Sequence, residues 1–239
     1  MSLSASLLLL LLLFGLTLLG LELRHRLRPA SPLRLTPEPF QVRRRAQGLE
    51  ISGTVRIDNP HPRMEVMVPE LRASLTLLGR ADLQAVRQEV RITSLHPDQE
   101  ARPDGYWAAY IVKGRKSTGA RIQINLIGPS GSDLESLLDT IWIDLQWVNY
   151  GPFGRLERRQ GVLVPIQCPE PMVATEARWR PGEGCQVLPV RTHLLGPLDD
   201  PLAVLQRYAG SLLQPGDVLT IGETPLAVIQ GRYHHPATV

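Results

Sequence analysis

The sequence of 239 residues lacks the motifs by which many enzymes are recognised. It has no Walker loop, no dinucleotide-binding glycine fingerprint, no nucleophile elbow and no His-rich zinc motif. Its two cysteines, Cys168 and Cys185, match no metal-ligand spacing and are expected to be free thiols. Aromatic residues make up only 5% of the chain, and Trp142, Trp147 and Trp179 are most simply core or edge residues. These absences exclude the enzyme classes that depend on such motifs.

An excess of positive charge is confined to the N-terminal arm. Residues 1–48 carry seven Arg against Glu22 and Glu38, whereas the remainder carries 19 basic and 21 acidic residues. The basic pI therefore belongs to the arm, and no nucleic-acid partner is predicted. A chain of this length holds one core of ordinary size plus a smaller unit.

The first long apolar run indicates a membrane helix. Leu3 to Leu21 contains no charge, which suits a span of a bilayer about 30 Å thick, and it fits a secretory signal less well. An Arg cluster follows the run, so the positive-inside rule predicts a single-pass membrane protein with its bulk cytoplasmic. We expect a transmembrane helix over residues 1–23 in contact with lipid. Residues 24–48, rich in Arg and Pro, are expected to form a linker that either contacts lipid headgroups or only fixes the topology.

Residues 49–167 show apolar positions with a period of two, which is typical of strands with one buried face. The alternating stretches are 49–57, 71–77, 122–126, 141–147 and 162–166. Turn signals such as Asn59-Pro60 separate them, so an antiparallel β-sandwich is predicted. Ser132 and Glu135 have capping-box spacing, which predicts a short helix over residues 133–139.

Two short motifs of this region, Asn59-Pro60 and Val68-Pro69-Glu70-Leu71, occur in the same order in a known family of β-sandwich domains. They resemble the late embryogenesis abundant type-2 β-sandwich. That resemblance implies a non-enzymatic domain near a membrane, and it carries over no site residue.

Beyond residue 167 the pattern changes. Residues 168–187 are rich in Pro, Gly and Glu without a period, which predicts a linker. Residues 187–195 and 218–222 predict strands, and residues 226–229 are expected to begin another element. Between the strands, a helix is predicted to begin at Pro201 with Asp200 as its N-cap. Strand, helix and strand in this order are typical of the start of an α/β unit.

Four short signals occur in order along this tail: Val190 to Leu195 with Asp199-Asp200, Pro215 to Leu219, Glu223-Thr224, and Gln230-Gly231-Arg232. Together they resemble the N-terminal part of the coenzyme F-420-0:gamma-glutamyl ligases. The resemblance implies that residues 188–239 begin a domain that binds GTP and a divalent metal and joins glutamate to a deazaflavin precursor. The predicted fold class is therefore α+β, with a transmembrane helix, an antiparallel β-sandwich and an incomplete α/β ligase-like unit.

By this resemblance, the nucleotide contacts fall on Thr192, His193, Leu194, Leu195, Glu223 and Thr224. The sequence departs from the family twice. Glu223 stands where the family has a small hydroxyl residue, and Val228 stands where it has a Lys that reaches the phosphates. An isopropyl group offers a phosphate no charge. Arg232 either supplies that charge or is a solvated residue at the end of a strand.

Two other pairs of residues resemble metal ligands. His234-His235 are adjacent, so their side chains would point to opposite sides of a strand, and a frayed terminus explains them better. Asp199-Asp200 are explained more simply by helix capping. No catalytic and no metal-binding residue is assigned, because in the resembling family those segments lie further along the domain.

The sequence supports two functional hypotheses. The first is a membrane-anchored, gamma-glutamyl ligase-like protein that forms an amide bond using GTP and that is truncated, inactive alone and dependent on a missing C-terminal ligase portion. The second is a non-catalytic, membrane-tethered β-sandwich that binds a partner or has a structural role.

Overall fold

The computed structural model describes residues 3–27, 30–79, 83–129 and 133–232. Strands dominate these residues, and the helices are few. The helices are α1 (Leu3–Arg26), α2 (Leu134–Leu137), α3 (Pro201–Ala209) and α4 (Glu223–Ile229). The strands are β1 (Arg34–Pro37), β2 (Gln41–Arg45), β3 (Gly48–Asp58), β4 (Val66–Val68), β5 (Leu71–Gly79), β6 (Arg87–Ser94), β7 (Tyr110–Val112), β8 (Ser117–Ile127), β9 (Leu138–Gly151), β10 (Gly154–Pro165), β11 (Arg180–Pro181) and β12 (Gln186–Val187).

Two five-stranded antiparallel sheets share one apolar core. The first has the order β1-β3-β8-β6 with β2 also paired to β3, and the second has the order β10-β9-β4-β7 with β5 also paired to β9. Alternate residues point inward, so Ile51 lies opposite Ile124 in the first sheet and Ile143 lies opposite both Leu75 and Val162 in the second. Burial of these aliphatic side chains is the main stabilising term of the fold.

The α+β fold class predicted from the sequence is wrong, because the described chain is β-rich. Four of the five alternating stretches do lie within β3, β5, β8 and β9, and the fifth lies in β10 except for its last residue, Ile166, which follows the strand. The tail differs most: residues 188–195 and 218–222 form no strand, and Val218 is 86% exposed. A short apolar run becomes a strand only where a neighbouring edge pairs with it.

The predicted transmembrane helix over residues 1–23 and the predicted single-pass, largely cytoplasmic location are also wrong. Within the described residues, no helix combines the length and the apolar character that crossing a membrane requires. The side chains described along α1 are those of residues 10–23. A spanning helix needs about 20 consecutive apolar residues.

Two local predictions differ from the structure in detail. Residues 34–37 and 41–45, within the expected linker, form β1 and β2 against β3, with Leu35 buried and the Arg side chains of β2 in solvent. Helix α2 is only one turn long because β9 begins at Leu138. Asp133 precedes it without a side-chain cap, and the expected cap residue Ser132 lies outside the described residues.

Candidate functional site

A cavity of about 470 Å³ lies between the start of β9 and the segment that precedes α3. Pockets that bind small molecules have volumes of about 300–1,000 Å³. The cavity is lined by Leu78, Asp139, Thr140, Gln167, Cys168, Pro169, Arg191, Thr192, His193 and Leu194. The lining therefore combines the end of β5, the start of β9, the chain that leaves β10, and the segment 191–194.

The segment beside the cavity packs closely against the outward face of the second sheet. Gly196 lies so close to Leu163 that a Cβ added at Gly196 would be 2.7 Å from the Leu163 Cβ. Leu163 lies opposite Trp142 in the β9–β10 pairing, and it is only 8% exposed. The absence of a side chain at residue 196 is what allows this close approach.

A buried hydrogen-bonded network fixes His193. Its Nδ1 lies 2.7 Å from the Tyr208 hydroxyl, and its Nε2 lies 2.9 Å from Asp199 Oδ1. The backbone N–H of Gly196 donates to Asp199 Oδ2 at 2.7 Å. The network therefore ties α3, which carries Tyr208, to the segment that lines the cavity.

The environment of Tyr208 keeps its hydroxyl protonated. Burial raises the pKa of Tyr208, and the nearby Cys168 thiol adds to the increase. At neutral pH the Tyr208 hydroxyl therefore keeps its proton. The His193 ring lies between this hydroxyl and the Asp199 carboxylate and is hydrogen-bonded to both through its two nitrogens. Cys168, Tyr208, His193 and Asp199 thus form a continuous chain of polar groups beside the cavity.

Helix α3 holds Tyr208 in position. As the sequence predicted, Pro201 is its first residue and the Asp200 side chain caps it by accepting from the Ala203 N–H at 2.8 Å. Val204 and Tyr208, one turn apart, are both buried. Capping thus explains Asp200, whereas Asp199 belongs to the His193 network.

Arg191 is the cation of the cavity. It is exposed, and no described side chain pairs with it. A guanidinium is planar, permanently charged and suited to phosphate or carboxylate oxygens. The neighbouring Thr192 hydroxyl donates to the His193 carbonyl at 2.9 Å. The cavity can therefore accept an anionic ligand at its Arg191 side.

The structure brings together three of the six residues predicted to contact nucleotide. Thr192, His193 and Leu194 line the cavity, whereas Leu195, Glu223 and Thr224 are not among its lining residues. Glu223 and Thr224 are exposed at the start of α4. The nucleotide-binding assignment of all six residues stays a prediction.

Sequence reasoning missed several residues of the site. The sequence alone assigns a site role neither to Tyr208 nor to Arg191. The available signal was Arg191 itself, an arginine directly before the predicted contact Thr192. Cys168 was recognised as a free thiol but not as a lining residue.

The described residues contain no group of three or more His, Cys, Asp or Glu side chains that could hold a metal ion. His234 and His235 lie outside the described residues.

A comparison with known families identifies the β-rich part of the chain. Residues 34–168 match the family model described as F420-0:gamma-glutamyl ligase, N-terminal Ig-like domain. The chain belongs to this family. The match confirms the predicted ligase family, although it falls on the two sheets and not on residues 188–239, which carried the resemblance. It gives no support to the late embryogenesis abundant type-2 sandwich or to a membrane anchor.

Comparisons with individual proteins add less. No curated protein sequence matches the chain. Among solved structures, the GAE domain of GGA2p from Saccharomyces cerevisiae has 8% identity and a TM-score of 0.31, covering 58% of this chain and 95% of its own. The FixG-related protein from Vibrio parahaemolyticus has 9% identity and a TM-score of 0.26, covering 55% of this chain and 95% of its own. Neither likeness supports an inference about function.

Proposed function

We propose that this Ig-like ligase-family chain serves the GTP-dependent formation of an amide bond with glutamate, and that its cavity binds the nucleotide. One observation supports the proposal above all. Thr192, His193 and Leu194, which the family resemblance implies as nucleotide contacts, line one cavity of about 470 Å³ together with Arg191. Three adjacent residues that the resemblance implies as contacts thus border a space of suitable size for a ligand.

The residues of the cavity suggest distinct roles in binding. Arg191 is suited to the phosphates, because a guanidinium donates two parallel hydrogen bonds to phosphate oxygens. In that role it supplies the charge that Val228 cannot. His193 is already bonded through both ring nitrogens, so its contribution is to hold Thr192 and Leu194 in place.

When bound, GTP supplies the phosphoryl group that activates a carboxylate for amide formation. The proposal assigns no metal ligand to the described residues, because they contain no fitting cluster. Leu195, Glu223 and Thr224 stay predicted contacts.

Calorimetric titration of the full chain with GTP in the presence of Mg²⁺ tests the proposal. Arg191→Ala should weaken binding by about tenfold or more, because a hydrogen bond to a charged group contributes about 1.5–3 kcal/mol. Arg180→Ala is the matched control, since Arg180 is an exposed Arg of β11 outside the cavity lining. Absence of binding to the wild-type chain, or an equal effect of the two variants, would contradict the proposal.

A second candidate function is a non-catalytic binding module. The observation that favours it is the extent of the family match, since residues 34–168 include none of the six predicted nucleotide contacts. Under this function the Ig-like domain would recognise a partner, and residues 188–232 would only cover the second sheet. Normal partner binding by the Arg191→Ala variant, together with no heat on GTP addition, would support this function.

A further inference from the structure

One end of the Ig-like domain carries a compact group of cations. It consists of the loop between β3 and β4 and the turn between β7 and β8, and we call it the cationic tip. Its charged members are Arg63, Lys113, Arg115 and Lys116, all of which are exposed. Lys113 and Lys116 are the only lysines of the whole sequence.

The buried side chain of Asn59 holds the two loops together. Asn59 is 1% exposed, and its Nδ2 donates to the carbonyls of Met64 at 2.7 Å and Val112 at 2.9 Å. Its Oδ1 accepts from the His61 N–H at 3.1 Å. The His61 Nδ1 in turn accepts from the Met64 N–H at 2.7 Å. The cations are therefore presented by a backbone that is fixed from within.

Arg115 has an unusual backbone conformation. With φ at 58°, it is the one non-glycine residue of the described chain in the left-handed region, which glycine tolerates far better. Its N–H points to the carbonyls of Asn59 at 2.9 Å and His61 at 3.1 Å. The preceding Gly114 is needed for another reason, because a Cβ there would lie 2.5 Å from the Pro62 carbonyl oxygen. An Arg kept at a strained position is a reason to look for a function of its side chain.

The charged groups of the tip are without an ion-pair partner among the described side chains. No described side chain forms an ion pair with Arg63, Lys113, Arg115 or Lys116, and Asp58, the nearest acidic residue of β3, is already paired with Arg56 at 2.9 Å. The remaining acidic residue of these loops is Glu65, against four cations. The tip therefore carries a local positive charge that a ligand can neutralise.

The tip lies at the opposite end of the second sheet from the cavity. The cavity is lined by Asp139 and Thr140, at the start of β9, whereas β4 pairs with Tyr150, near the end of β9. These positions are ten residues apart along one strand, and each residue of a strand adds about 3.3 Å. A ligand of the tip is therefore separate from a ligand of the cavity.

The neighbouring strand β7 points to the kind of ligand. It is at the edge of its sheet, and Ile111 is 49% exposed beside the cations. An edge strand can pair with an extended peptide through backbone hydrogen bonds, while nearby side chains select the sequence. An extended nucleic acid is disfavoured, because acidic residues outnumber basic ones over residues 49–239.

We propose that the cationic tip and the adjoining edge of β7 bind an acidic peptide segment of a partner protein. The peptide extends along Tyr110 to Val112, and its Asp or Glu side chains contact Lys113, Arg115 and Lys116. Guanidinium groups at Arg63 and Arg115 bind carboxylates through paired hydrogen bonds. The site is independent of the nucleotide-binding function proposed above.

Fluorescence polarisation with the full chain tests this site. The probe is a fluorescein-labelled, Glu-rich dodecapeptide at low salt, compared with a Gln-rich peptide and an oligothymidylate of equal length. Neutralising both lysines, Lys113→Gln with Lys116→Gln, should weaken binding of the acidic peptide about fivefold or more. Arg178→Gln with Arg180→Gln removes the same charge from exposed positions outside the Ig-like domain, and it should change binding less than twofold.

Arg115→Gly separates binding from folding. It removes the guanidinium and also relieves the left-handed strain, so the urea midpoint should be no lower than that of the wild type while peptide binding weakens. Three results would each overturn the proposal: equal effects of the two double variants, tight binding of the Gln-rich peptide, or tighter binding of the oligothymidylate than of the acidic peptide.

Discussion

Removing the Tyr208 hydroxyl tests the buried network that supports the cavity. Tyr208→Phe keeps the ring, so it opens no cavity in the packing, but it leaves His193 Nδ1 without its 2.7 Å partner. The His193 side chain is only 6% exposed, so water cannot readily replace the lost hydroxyl. Leaving a buried donor or acceptor unsatisfied costs about 1–3 kcal/mol.

The loss of stability should appear in α3, the helix that the network holds in place. A loss of about 1–3 kcal/mol corresponds to a 5- to 150-fold increase in local opening. Hydrogen exchange of the α3 amides measures it, because the Val204 N–H is bonded to the Asp200 carbonyl at 3.0 Å and is protected only while α3 is folded. The strands of the first sheet should exchange as in the wild type.

Tyr106→Phe is the control for this prediction. Tyr106 is 65% exposed, so the loss of its hydroxyl should change stability by less than about 0.5 kcal/mol. The same Tyr208→Phe variant should also weaken GTP binding, because His193 positions the segment that lines the cavity. Equal α3 exchange in the Tyr208 and Tyr106 variants would refute the role given to the network.

Three further predictions concern single positions. Asn59→Ala leaves two backbone carbonyls without donors and should lower the unfolding free energy by about 2–3 kcal/mol in urea, whereas Asn125→Ala, at an exposed strand position, should change it little. Burial lowers the pKa of His96 in the folded protein. At pH values below the ordinary histidine pKa of about 6.5, the unfolded state therefore binds more protons than the folded state. Stability should therefore be full above that pH and fall as the pH drops towards the folded pKa, as urea titrations at several pH values would show, and His96→Gln should flatten the decline. Gly196→Val should clash with Leu163, costing about 1–3 kcal/mol by thermal unfolding and weakening GTP binding.

The parts of the fold that the sequence predicted correctly are those specified by local rules. Alternation placed Ile141, Ile143 and Leu145 on one face of β9, and all three are fully buried. Cap chemistry placed the start of α3 at Pro201. In both cases the nearest neighbours along the chain determine the outcome, because a strand period and an N-cap need no knowledge of distant residues.

Predictions that depended on distant partners were less successful. The run at 218–222 is as apolar as many strands, yet Val218 is 86% exposed and no strand within the described residues pairs with this run. In the candidate site, the family resemblance located Thr192 and His193. It did not reveal Asp199 and Tyr208 as partners of His193, because hydrogen bonds between segments 6 and 15 residues apart depend on how the chain folds back.

The outward face of β9 explains why the tail lies where it does. A strand of a two-sheet domain normally buries one face, but β9 also buries Thr140, Asp144 and Val148 on the opposite face. Trp142 and its neighbour Leu163 on β10 add apolar surface to that face. Exposure of this surface to water would be unfavourable. Gly196 covers Leu163, so the tail is held by the sheet beneath it as well as by its own helix. The cavity is the space that remains between these two surfaces. Its shape therefore depends on the Ig-like domain even though the residues predicted to bind nucleotide follow that domain in the sequence.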